Sequence, residues 1–119
     1  MAAHRPDLPP GLLPPLAGPA DLEAAPRGRP VLVDCLTLWL SNLMLAERDL
    51  PAETDCLLAT LARPHGPWVL VSNEVGLGIV PDNALARRFR DAAGLLNQRV
   101  AAVATCVTLA VAGLPLKVK

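Results

Sequence analysis

A chain of 119 residues with 52% hydrophobic and 18% charged side chains fits one domain and is too apolar to remain unfolded. Eleven Lys and Arg balance eleven Asp and Glu, and this zero formal charge argues against the clustered basic footprint of a nucleic-acid binder. The three cysteines, Cys35, Cys56 and Cys106, form no C-x-x-C pair, which fits neither a disulfide framework nor a zinc site and predicts buried thiols in a reducing cytoplasm.

Eight of the thirteen prolines fall in the first thirty residues, with Pro-Pro pairs at 9–10 and 14–15. Residues 5–30 therefore read as an extended surface segment or loop, unable to propagate a helix or pair as a central strand. No apolar stretch of a secretory signal opens the chain. The division is a Pro-rich segment over 1–30 and an α/β domain over 31–119.

From Val31 the pattern becomes regular. Val31, Leu32 and Val33 form a short apolar run ending at Asp34, the signature of a strand buried on both faces of a parallel sheet. Residues 37–47 read as a helix burying Leu38, Leu43 and Leu45. Residues 53–63 read as a second helix, with Leu57, Leu58 and Leu61 inward and a stop at Pro64. A turn at His65, Gly66 and Pro67, with His65 at the surface, leads into a second buried strand over 68–71. The loop over 73–81 carries Gly76 and Gly78. Asp82 is then the expected N-cap of a long amphipathic helix. Leu85, Phe89, Ala92, Leu96, Val100 and Val103 lie on one face, and Arg87, Arg88, Asp91 and Arg99 on the other. A last strand runs from Val107 to Ala112 and ends at Gly113. Alternating strands and helices predict a parallel, doubly wound sheet, and three strands make an incomplete one. The apolar stretches 31–46 and 100–116 are too short to span a bilayer and read as core, so no membrane is expected.

The candidate chemistry lies at strand ends. Asp34 closes the first strand at the sheet edge where open α/β folds bind ligands, and an Asp there can hold Mg²⁺ in phosphate-transfer proteins; a carboxylate capping the next helix is the plain alternative. Asn73 and Glu74 hold the same position after the next strand. Gly76 and Gly78 give a weak hint of a phosphate loop, but no G-x-x-x-x-G-K-[ST] occurs in the 119 residues. His4 beside Arg5 pairs a nucleophilic imidazole with a side chain suited to phosphate.

These segments resemble a known family. Residues 31–43 (VLVDCLTLWLSNL) and 71–91 (VSNEVGLGIVPDNALARRFRD), followed by Gly94, Asn97, Gln98 and Arg99, are similar to blocks of the bifunctional adenosylcobinamide kinase/adenosylcobinamide-phosphate guanylyltransferases. The resemblance covers residues 31–119 and implies a RecA-like P-loop NTPase fold, α/β with a parallel sheet flanked by helices. It implies a cytoplasmic cobalamin-assembly enzyme, a homotrimer, that phosphorylates adenosylcobinamide with ATP or GTP. Such an enzyme then transfers GMP from GTP, through a guanylyl-histidine, to adenosylcobinamide phosphate. Residues 2–9 (AAHRPDLP) look like the tail of the family's guanylylated-histidine stretch. By that likeness His4 is the nucleophile. Arg5, Pro6, Asp7 and Leu8, with Asp34, Asn73 and Glu74, contact the nucleotide, and Asp34 holds Mg²⁺. The family's first strand and P-loop have no counterpart here, and residues 12–16 (LLPPL) depart from its acidic nucleotide contact, so the chain reads as N-terminally truncated. The alternative is a catalytically dead remnant that serves only as an association module.

Overall fold

The residues described are 18–119, in a computed structural model of the chain. The His4–Leu8 stretch and residues 12–16 lie outside them. The elements in order are α1 (Pro19–Glu23), β1 (Val31–Asp34), α2 (Leu36–Leu45), α3 (Leu50–Leu61), β2 (Trp68–Val71), α4 (Ala84–Val103), β3 (Thr108–Val111) and β4 (Leu114–Lys117).

β1 and β2 pair in parallel, with Val31 opposite Trp68 and Asp34 opposite Val71. The crossover between them is α2 followed by α3, the connection a parallel pair requires. Both helices pack on α4, and α1 packs on α3. The core gathers Val31 and Val33 with Leu36, Trp39, Leu40 and Leu43 of α2, Leu57 and Leu61 of α3, and Ala93, Leu96 and Val100 of α4. β1 is not buried on both faces as its run of apolar residues predicts. It alternates, with Val31 and Val33 inward and Leu32 and Asp34 outward, because the packed helices cover one side of the pair.

The last strand also departs from expectation. β3 does not join the parallel pair; it forms a separate antiparallel hairpin with β4, in register from Thr108–Lys117 to Val111–Leu114. The two-residue connection explains this. Ala112 and Gly113 both have positive φ, 51° and 76°, the backbone that a type I′ hairpin turn demands. Gly113 therefore opens a hairpin rather than ending the chain's last strand. The Lys119 ammonium donates to the carbonyls of Ala101 and Ala102, tying the hairpin to the C-terminal turn of α4.

Three helices refine the expectations. α1 forms inside the Pro-rich segment because Pro19 stands at the first helical position, where a missing N–H costs nothing. It buries Leu22 completely, and the Thr60 hydroxyl of α3 meets Glu23 Oε1 at 2.9 Å. In α2 the inward stripe is Leu36, Trp39, Leu40 and Leu43, the i, i+3, i+4, i+7 set. Leu43 is buried as expected, but Leu38 and Leu45 are 64% and 73% exposed. A helix that is apolar nearly all round gives periodicity no means of choosing its inner face. The N-cap of α4 is Asn83, not Asp82; its Oδ1 accepts from the N–H of Ala86 at 3.0 Å. Along α4, Leu96 and Val100 are buried and Phe89 and Ala92 half-buried, while Leu85 and Val103 near its ends are exposed.

The thiols are free but not buried: Cys35 is half-buried, and Cys56 and Cys106 are exposed. His65 is half-buried rather than at the surface, its ring edge-on to Trp68 at 5.0 Å between centroids. Among the described residues no helix is long and apolar enough to cross a membrane.

Candidate functional site

The carboxyl ends of β1 and β2 lie side by side because the strands are parallel and in register through Asp34 and Val71. Immediately beyond them five polar residues converge. The Thr37 hydroxyl, in the first turn of α2, accepts from the backbone N–H of Asn73 at 2.9 Å and donates to its Oδ1 at 2.9 Å. The Cys35 thiol lies 3.9 Å from the same Oδ1. From the other side, Asn97 of α4 donates through Nδ2 to the carbonyl of Asn73 at 3.2 Å and accepts from the Ser72 hydroxyl at 2.6 Å. The residues following β2 are thus held between the N-terminus of α2 and the middle of α4.

Asp34 stands at this edge on the uncovered face of the sheet, and among the described residues its carboxylate is engaged in no hydrogen bond or ion pair. It does not cap α2. The N-cap is Cys35, and no side chain caps that helix. Glu74 is turned into its own loop, where Oε1 accepts from the N–H of Gly76 at 2.7 Å. That contact occupies the N–H of Gly76, one of the two glycines behind the weak hint of a phosphate loop. The far end of the loop is fixed by Arg87, which donates to the carbonyl of Pro81 at 2.8 Å. The structure therefore brings Asn73 into a bonded cluster, sets Asp34 beside it by strand register, and points one oxygen of Glu74 elsewhere.

Cys35, Thr37, Ser72 and Asn97 are the members that sequence reasoning leaves out of the site. A signal was present in two of them, a lone hydroxyl in the apolar first turn of α2 and an amide beside Leu96 on the inner half of α4. Among the described residues no group of three or more His, Cys, Asp and Glu side chains is placed to hold a metal. A single free carboxylate suits Mg²⁺ carried in by nucleotide phosphates, since that ion is commonly bound through one or two carboxylates and keeps several waters; it does not suit a metal caged by protein alone.

A small parallel sheet with helices, its polar side chains gathered beyond the strand carboxyl ends, defines an α/β protein. Residues 16–118 match the family model described as cobinamide kinase/cobinamide phosphate guanyltransferase, and the chain belongs to this family. It is 49% identical over 108 residues to the bifunctional adenosylcobalamin biosynthesis protein CobP of Pseudomonas aeruginosa, covering 88% of this chain and 62% of that protein. It is 42% identical over 104 residues to the bifunctional adenosylcobalamin biosynthesis protein CobU of Salmonella typhimurium, covering 75% of this chain and 58% of the relative. The protein of the same name from Escherichia coli is 40% identical over 104 residues, again 58% of its length. The chain thus spans about three fifths of the length of these relatives.

Proposed function

We propose that the protein serves cobalamin assembly as a guanine-nucleotide-handling member of its family, with the ends of β1 and β2 as the nucleotide edge. The observation that carries this is the bonded cluster of Thr37, Asn73 and Asn97 beside the unengaged Asp34 carboxylate, in a chain of cobinamide kinase/guanyltransferase type. Asp34 has the charge to meet Mg²⁺ on the nucleotide phosphates. Asn73 has an amide to offer a ribose or base, and Glu74 keeps one carboxylate oxygen beyond its contact with Gly76.

In this reading the neutral imidazole of His4 attacks the α-phosphorus of GTP, and the bond to the bridging oxygen breaks, releasing pyrophosphate. A phosphate oxygen of adenosylcobinamide phosphate then attacks the same phosphorus. The N–P bond breaks, His4 is regenerated, and adenosylcobinamide-GDP forms. Arg5, Pro6, Asp7 and Leu8 line the nucleotide next to His4, with the Arg5 guanidinium neutralising phosphate charge. The companion reaction phosphorylates adenosylcobinamide with ATP or GTP. The working assembly is a homotrimer in the cytoplasm.

Incubation with GTP labelled at the α-phosphate tests the proposal. The expected product is an acid-labile, base-stable label on the chain that is lost in His4→Ala. A label that persists in that variant, or none in the parent, overturns the assignment. One observation favours a second reading, an association module without catalysis: Leu32, Val69 and Val71 all lie exposed on the open face of the parallel pair.

A further inference from the structure

The residues after Asn73 border a second feature that the strand-end cluster does not use. A cleft of about 480 Å³ lies between the C-terminal half of α2, the 73–81 loop and the first turns of α4. Most of its lining is apolar and is called its floor, with Met44, Leu45, Val75 and Phe89 among it, and its polar members, called the rim, are Ser41, Asn83 and Arg90. The volume lies within the range of small-molecule sites, and an apolar floor with few polar rim groups is their usual make-up.

The rim is biased toward donors. Asn83 already uses Oδ1 to cap α4, leaving its NH₂ to bond a ligand. Arg90 gives Nε and Nη2 to Asp91 Oδ1 at 3.1 and 2.9 Å, and a guanidinium has further N–H groups to give. Such a rim fits a ligand with an apolar body and carbonyl oxygens on its periphery. The floor suits a flat body, because Met44 adapts its shape and Phe89 offers a ring. Val75 is two residues beyond Asn73, a span of no more than about 7 Å of chain. A ligand seated in the cleft can therefore extend an arm to the strand-end cluster.

We propose that this cleft seats one edge of the corrin macrocycle of cobinamide, with the hydroxyl- or phosphate-bearing arm directed toward Asn73. It deepens the cobinamide reading above and rests on it. Cobinamide meets each requirement by its chemistry: a broad methylated ring larger than the cleft, a fringe of primary amides whose carbonyls accept hydrogen bonds, and a flexible arm ending in the reacting oxygen.

Titration of the purified full chain with cobinamide, followed by the visible absorbance of the corrin, tests the proposal. Leu45 is largely exposed and Val75 sits in a loop, so Leu45→Glu and Val75→Glu place charge on the floor without touching the core. Each is expected to weaken binding at least about tenfold. Leu38→Glu, equally exposed on α2 but outside the cleft, is expected to bind as the parent does. Parent-like affinity in both cleft variants overturns the proposal, as does a parent chain that leaves the corrin spectrum unchanged. A Leu45→Glu effect confined to sedimentation, with corrin affinity intact, makes the cleft a contact between copies and equally overturns it. Labelling of His4 in the same preparations separates the two levels: persistent label with unaltered corrin binding in the variants sinks the cleft alone, whereas absent label and absent corrin binding sink the cobinamide reading itself.

Discussion

One hydroxyl joins the two strand ends. Thr37 Oγ1 both accepts from the Asn73 backbone and donates to its side chain, so a single atom fixes where the Asn73 amide stands relative to β1. Asn97 fixes the same residue from α4. Replacing Thr37 with Val keeps the shape and removes both bonds. With a net value of about 1 kcal/mol per hydrogen bond, Thr37→Val is expected to lower unfolding stability by about 1–2 kcal/mol in a urea melt, while Thr37→Ser stays near the parent. Equal stability in all three proteins would mean that water replaces the hydroxyl at no cost. At this scale the sequence was legible where position alone conveys chemistry. Asp34 and Asn73 fall at the ends of apolar strands, and both stand at the edge expected of them. The rest depended on side-chain direction: Glu74 bonds back onto its own loop, and Thr37 and Asn97 reach Asn73 across 36 and 24 residues of chain, which no local pattern encodes.

Among the elements, the hairpin is held by its turn. Ala112 occupies the left-handed region at φ 51°, a conformation that costs an ordinary L residue about 1 kcal/mol or more and that Asn tolerates. Ala112→Asn creates the Asn-Gly pair that such turns prefer. It is expected to stabilise the hairpin by about 0.5–1 kcal/mol, read as slower amide hydrogen exchange across β3 and β4. Unchanged or faster exchange would show that the turn does not limit the hairpin. Elements with an unambiguous period were legible in the sequence: β2 forms over 68–71, though half exposed and not buried as expected, and α4 places Leu96 and Val100 inward. Where composition is uniform, the choice passes to tertiary contacts. α2 is apolar on most sides, and packing against α3 and α4 selects Leu36, Trp39, Leu40 and Leu43. α1 was hidden by the proline count, although Pro19 is the residue that starts it.

For the whole molecule, the helices cover one face of the β1–β2 pair and leave Leu32, Asp34, Val69 and Val71 on the other. Burial on both faces is the rule for parallel strands, and the apolar runs of β1 and β2 have the composition for it. The α/β class was legible because two strands separated by helical stretches have few arrangements, but helices flank one face of the pair, not both as in the expected doubly wound sheet. The separate hairpin was not, since Val107–Ala112 has the same apolar character as a parallel strand and only the turn after it decides its partner. The joined ends of β1 and β2 are the proposed place where nucleotide meets this chain. Titrating isotopically labelled protein with GTP and Mg²⁺ and following backbone amide resonances tests that most directly, even at weak affinity. The expected result is that the shifts concentrate at Asp34, Cys35 and Thr37 and at Ser72, Asn73 and Glu74. Shifts confined to the β3–β4 hairpin or scattered over the helices, with those six amides unmoved, would contradict it.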